Sequence, residues 1–301
     1  MKSKILAFGA DGLVGSRFTD LYHKDSQFIT PKIDELDITA QKSLSDYFEK
    51  NRSDFEVVIN FAAITNVDAA EKEKGNKQGL AWQVNVEGAK NIAENCLRLD
   101  KYLIHISTDF VFPGTKDNPG PSAEDTKLPE TEEGLGWYGW TKACGEKEIA
   151  KTGTKHAVVR ITYPYRAHYP AKIDFARNIL QLFDEGKLYP MFSDQQMTPS
   201  FIDEIAKVLY LLVEEKRTGI FHSASADITT PYEFAVYLLE KARGASDIVK
   251  KGSMEEYLSA PGRTPRPIVG GLKVEKTESQ LGIKFMGWQK AVDEFIKQLN
   301  S

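Results

Sequence analysis

The sequence predicts an α/β protein built on a doubly wound parallel sheet, and three observations lead there. Short apolar runs alternate with amphipathic stretches, the first run opens directly into a glycine-rich turn, and several later runs end in small or hydroxyl-bearing residues. The runs are KILAF (4–8), VVINFAA (57–63), YLIHIS (102–107), AVVRITY (157–163) and GIFHSA (219–224). Runs apolar at successive positions suit strands covered on both faces, and segments such as 83–99, with Val86, Ile92, Ala93, Cys96 and Leu97, suit crossover helices. After about residue 163 the rhythm loosens into YPYRAHYP, a helix at 174–184 and a loop-rich tail. The expected organisation is a dinucleotide-binding domain over 1–163 plus about 200–228. A smaller, discontinuous substrate-binding region then covers about 164–199 plus 229–301.

The first strand runs into Gly9-Ala10-Asp11-Gly12-Leu13-Val14-Gly15, followed by a helix whose apolar face carries Val14, Phe18 and Leu21. Strand, glycine turn and helix together form the Rossmann-type fingerprint. Its glycines permit a tight turn, let backbone N–H groups approach a pyrophosphate and allow close helix packing, while the helix N-terminus favours the anion. The spacing is Gly-x-x-Gly-x-x-Gly. Where a ribose-binding carboxylate is expected after the second strand, the chain reads Phe28-Ile29-Thr30-Pro31-Lys32. A lysine there attracts a 2′-phosphate, so Thr30 and Lys32 favour NADPH, with NADH as the alternative. Asp37 is placed either to close over an adenine edge or to cap the helix at 41–50.

Two other strand ends should share this rim: Asn60-Phe61-Ala62-Ala63 and Ser107-Thr108-Asp109. Ligands of open parallel sheets bind outside the carboxyl ends of strands. Tyr138 and Lys142 lie one helical turn apart. By itself that spacing describes any solvated helix face. With a dinucleotide in the crevice, a tyrosine can hand its proton to a carbonyl as hydride arrives, provided a cation lowers its ordinary pKa of roughly 10. Lys142 supplies that cation, and Thr108 would hold the substrate oxygen.

Composition bounds the partners. The 301 residues are 41% hydrophobic and 27% charged, with a net charge of −4 and no basic stripe, which points to a small-molecule partner and away from nucleic acid. The opening lysines and apolar run are too short for a signal peptide and are interrupted by Asp11, and no window suits a membrane span. Cys96 and Cys144 lack metal or disulfide spacing, so a cytoplasmic protein without a metal site is expected.

These motifs resemble the extended short-chain dehydrogenase/reductase family, and in wording the dTDP-4-dehydrorhamnose reductases within it. The carriers are GADGLVG (9–15), LDIT (36–39), NFAAITNVDAAE (60–71), VNVEG (84–88), HISTDFVFPG (105–114), YGWTK (138–142) and SDQ-x-x-x-P (193–199). The resemblance implies Thr108, Tyr138 and Lys142 as catalytic residues. It implies a cofactor lined by Gly9, Gly12, Leu13, Val14, Gly15, Asp37, Ile38, Ala62, Ala63, Tyr138 and Lys142, with Asn85 in a structural turn. For a nucleotide-sugar substrate it implies Thr65, Thr108, Asp109, Val111, Tyr163, Gln195 and Arg266. The implied reaction is NADPH-dependent reduction of a 4-keto group on a nucleotide-linked deoxysugar, in a chain that can form a homodimer.

Departures gather on the substrate side. Arg160-Ile161-Thr162-Tyr163-Pro164-Tyr165 lacks the tryptophan usual in those reductases, Asp174-Phe175 replaces Asn-Phe, and Met197 replaces a glycine. Arg263 and Arg266 suit a diphosphate or an ordinary surface loop equally. Trp137 and Trp140 suit packing better than ligand contact. A 4,6-dehydratase is disfavoured because Phe110, not a second acid, follows Asp109. A 4-epimerase with recycling NAD and a non-catalytic regulatory subunit resembling that of methionine adenosyltransferase stay open.

Overall fold

Ile5, Leu6, Ala7 and Phe8 are all buried, as a strand covered on both faces requires. In the computed structural model, which describes every residue except Met1 and Ser246, they belong to β1 (Ser3–Phe8). The chain continues through α1 (Leu13–Tyr22), β2 (Ser26–Ile29), α2 (Gln41–Lys50), β3 (Val57–Asn60), α3 (Val67–Glu71) and α4 (Leu80–Trp82). A π-helical stretch (Gln83–Gly88) leads into α5 (Ala89–Arg98), β4 (Tyr102–Thr108) and a 3₁₀ turn (Asp109–Val111). Then come α6 (Trp137–Thr152), β5 (His156–Ile161), α7 (Phe175–Asp184), β6 (Met191–Phe192), α8 (Ile202–Glu215) and β7 (Gly219–Ser223). The tail adds α9 (Pro231–Arg243), β8 (Lys251–Gly252), α10 (Met254–Ser259), α11 (Glu275–Leu281) and α12 (Trp288–Leu299).

Six strands form one sheet in the order β2-β1-β3-β4-β5-β7, and β1 pairs in parallel with both β2 and β3. The order reverses between β1 and β3, and such a switch point opens a crevice at the strands' carboxyl ends. The helix expected over 83–99 is modified: it begins at Leu80 and passes through the π stretch before α5. Hydrophobic spacing does not distinguish one extra residue per turn from a regular helix.

Two compact units divide the chain. Unit 1 comprises Met1–Val111, Lys127–Arg160 and Ala206–Phe221, and unit 2 comprises Phe112–Thr126, Ile161–Ile205 and His222–Ser301. The core of unit 1 joins Leu6, Phe8 and Val58 of the sheet to Leu44 and Phe48 of α2 and to Ile92, Ala93 and Cys96 of α5. In unit 2 the core is aromatic: the Tyr165 ring lies 5.5–5.6 Å from those of Phe201, Phe234 and Phe295.

Candidate active site

The glycine turn sits at the switch point of unit 1. Gly9 has φ +68°, and a Cβ there would lie 2.8 Å from the Ala62 nitrogen, so only glycine lets β1 and the chain after β3 meet so closely. Gly12 is the N-cap of α1 without a side-chain cap, so no side-chain oxygen occupies the start of that helix, where an anion is favoured. Beside it lies a cavity of about 670 Å³ whose lining includes Ala10, Asp11, Phe28, Thr30 and Lys32. Leu13, Val14, Ala62 and Ala63 are half-buried around the turn, Gly15 is buried within α1, and Thr30 and Lys32 are exposed after β2. A glycine cradle, an uncapped helix end and a lysine at the far side fit a phosphorylated dinucleotide.

Asp37 does not cap α2, whose N-cap is Ala40. Its Oδ1 instead accepts from the Thr39 backbone N–H and hydroxyl, both at 2.8 Å, closing the turn that enters the helix. Ile38 is a core side chain, and its carbonyl accepts from Asn91 Nδ2 at 3.0 Å.

Thr108 ends β4, Tyr138 opens α6 and Lys142 follows one turn later, all within unit 1. The start of α6 lies hard against the 3₁₀ turn, since a Cβ on Gly139 would come within 2.0 Å of the Phe110 carbonyl oxygen. That contact brings the Phe110 and Tyr138 rings to 5.9 Å, edge to face, and leaves the Tyr138 phenol close enough to Thr108 to feel its hydroxyl. Burial pushes the phenol up to about 12, with Thr108 pulling it back and Asp109 raising it further. Burial also drives Lys142 down to about 8, partly opposed by Glu146.

The expectation that Lys142 lowers the Tyr138 pKa is therefore corrected. Lys142 Nζ turns to the Ile106 carbonyl at 2.7 Å and to His105 Nε2 at 3.0 Å, and burial controls the phenol. Tyr138 stays protonated at neutral pH, the form a proton donor needs.

Other residues complete the setting. Asp109 is buried and its Oδ1 accepts from the Thr108 hydroxyl at 3.3 Å. Val111 is fully buried at the end of the 3₁₀ turn. Thr65 is exposed just before the Asn66 cap of α3. Asn85 reaches from the π stretch to Ile64 N–H at 2.9 Å, Ile64 O at 3.1 Å and Thr141 Oγ1 at 3.0 Å, tying the chain after β3 to α6. Trp137 stacks on Trp82, and Lys147 lies over the Trp140 ring, so both tryptophans serve packing. A buried pair that sequence reasoning missed joins Arg160 to Glu146 at 2.7 Å, with the Ser107 hydroxyl also donating to Glu146. The i+4 spacing of Glu146 from Lys142 was its one signal.

Unit 2 gathers three of the predicted substrate residues. Gln195 Nε2 donates to the Tyr163 hydroxyl at 3.1 Å and to the Pro267 carbonyl at 2.9 Å, next in chain to half-buried Arg266. Tyr163 has φ +41°, an uncommon conformation for a bulky residue and one that gathers at ligand sites. Arg266 is near enough to Tyr189 for its charge to pull that phenol down against burial. Arg263, in contrast, is exposed and stacks at 4.2 Å on Tyr257. Among the described residues no group of three or more His, Cys, Asp or Glu is arranged to hold a metal, and no helix is long and apolar enough to cross a membrane.

A parallel sheet with a glycine turn at its switch point and a Thr, Tyr and Lys group at a neighbouring strand end defines an NAD(P)-binding oxidoreductase of the extended short-chain dehydrogenase/reductase type. The model of the RmlD substrate binding domain matches residues 3–301. The chain belongs to that family. It is 30% identical to a dTDP-4-dehydrorhamnose reductase of Burkholderia thailandensis over 99% of each chain. It is 29% identical to the spore coat polysaccharide biosynthesis protein SpsK of Bacillus subtilis, again over 99% of each. A solved dTDP-4-dehydrorhamnose reductase from Clostridium acetobutylicum superposes with a TM-score of 0.85 at 27% identity, covering 100% of both chains.

Proposed function

We propose that this chain reduces the 4-keto group of a nucleotide-linked deoxysugar, with NADPH as the preferred cofactor and dTDP-4-dehydrorhamnose as the first substrate to try. The observation that carries the reading is the buried, protonated Tyr138 phenol beside Thr108 in the unit that holds the glycine turn. NADPH, when bound, supplies hydride to the sugar C4. Thr108 orients the substrate oxygen and Tyr138 gives it a proton, so that charge does not accumulate on the alkoxide. The glycine turn and the N-terminus of α1 receive the pyrophosphate, and Thr30 with Lys32 receives the 2′-phosphate, which favours NADPH over NADH. Ala62 and Ala63 leave room for the cofactor, and Lys142 holds its ribose hydroxyls. On the substrate side, Tyr163, Gln195 and Arg266 of unit 2 hold the nucleotide-sugar, Arg266 through a phosphate oxygen.

The test is oxidation of NADPH with dTDP-4-dehydrorhamnose, wild type beside Tyr138→Phe, with NADH in parallel. Turnover should fall at least about 100-fold in the variant with cofactor affinity retained. An equal rate in Tyr138→Phe removes that phenol from the mechanism. A silent wild type that still binds NADPH rejects this keto-sugar and favours the non-catalytic reading.

A further inference from the structure

Parallel pairing sets Asn60 of β3 directly beside His105 of β4, and both side chains are buried. The Asn60 amide has its orientation fixed, because its Oδ1 accepts the Ala62 backbone N–H at 3.1 Å. Its Nδ2 therefore faces His105 Nδ1, at 3.2 Å, as a donor. Nδ1 must then be the lone-pair nitrogen of the ring, and a neutral imidazole places its proton on Nε2. That N–H points at Lys142 Nζ, 3.0 Å away, while Nζ donates to the Ile106 carbonyl. An ammonium at Nζ would meet a donor. Moving the ring proton to Nδ1 only transfers the donor–donor contact to Asn60. The array is satisfied with Lys142 as an amine.

We propose that His105, oriented by Asn60, is a positioning residue that holds Lys142 against β4 as the neutral amine, and that Lys142 takes up a proton from water only on leaving His105. The charged and titratable groups around this array are Tyr138 and Glu146 on α6, Asp109 after β4, and His156 and Arg160 on β5. Glu146 is bound to Arg160, which limits what its charge does to Lys142. Burial holds His105 well below its usual range, so the ring is neutral at physiological pH. The inference rests on the reductase reading for its consequence alone: a lysine docked on His105 is uncharged, and one turned to a ribose is charged.

The test follows protons directly and needs no turnover. Ring nitrogens of ¹⁵N-labelled histidine and the side chain of ¹³C-labelled lysine are followed by NMR in the full chain from about pH 6 to 9. His105 is assigned by its loss in His105→Phe. The expected wild-type result is the Nε2–H tautomer throughout. In Asn60→Asp the carboxylate accepts from Nδ1, which should switch the ring to Nδ1–H and raise the Lys142 midpoint by at least about one pH unit. His105→Phe should also raise it, by about one unit, since the amine loses its donor. An Nδ1–H tautomer in the wild type overturns the proposal, and so does a Lys142 midpoint unmoved by either variant that folds.

Discussion

Lys142 shows how one side chain carries both a cost and a use. Its ordinary value is near 10.5 and burial brings it to about 8. Between those two values the unfolded chain holds a proton that the folded chain has released, so this group makes stability rise with pH across the interval, and the burial cost is fully present below about 8. Lys142→Met should erase that slope. Between pH 7.5 and 9.5 the wild type should gain about 2 kcal/mol relative to the variant in urea unfolding. Equal slopes would mean that Lys142 titrates normally. Tyr138 and Lys142 could be paired from their spacing, but His105 could not be added to them. In YLIHIS it reads as one polar residue inside an apolar strand. Its partner Asn60 is 45 residues away and reaches it through strand register, which local sequence does not carry.

Among the elements, the packing of α6 decides whether the site forms. Two of its glycines meet backbone: a Cβ on Gly139 would press on Phe110 O, and one on Gly145 would come within 2.2 Å of Asn85 O in the π stretch. Gly139→Ala should cost about 1–3 kcal/mol and separate Tyr138 from Thr108, lowering turnover far more than NADPH affinity. Stability and rate measured on the same preparation check both halves, and an unchanged rate would show that α6 tolerates the shift. The start of α6 was readable from YGWTK, and the glycine turn from its strand and helix context. The π stretch was not readable, since an extra residue per turn leaves the apolar pattern almost unchanged.

At the scale of the whole molecule, the alternation of apolar runs and helices was enough to predict the doubly wound sheet, because buried parallel strands must be apolar on both faces. The substrate side was harder to read. Tyr163, Gln195 and Pro267 come together from segments far apart in sequence. A ligand that binds only the folded chain raises its melting temperature. NADPH at about 100 times its Kd should add about 2.7 kcal/mol, or about 5 °C, and NADH at the same concentration should add less. A melting curve that ignores NADPH would contradict the cofactor assignment.

The order of the strands also has a consequence during synthesis. β5 ends at Ile161 and its sheet neighbour β7 begins at Gly219, so the ribosome must add the chain between them before the sheet can be completed. At about 5–20 residues per second, that interval lasts roughly 3–12 s. Throughout it, the nascent polypeptide presents the unpaired edge of an apolar strand, Ala157-Val158-Val159, to every neighbouring chain. Recovery of the protein from cells should therefore depend on translation rate and chaperone supply more than its folded stability suggests.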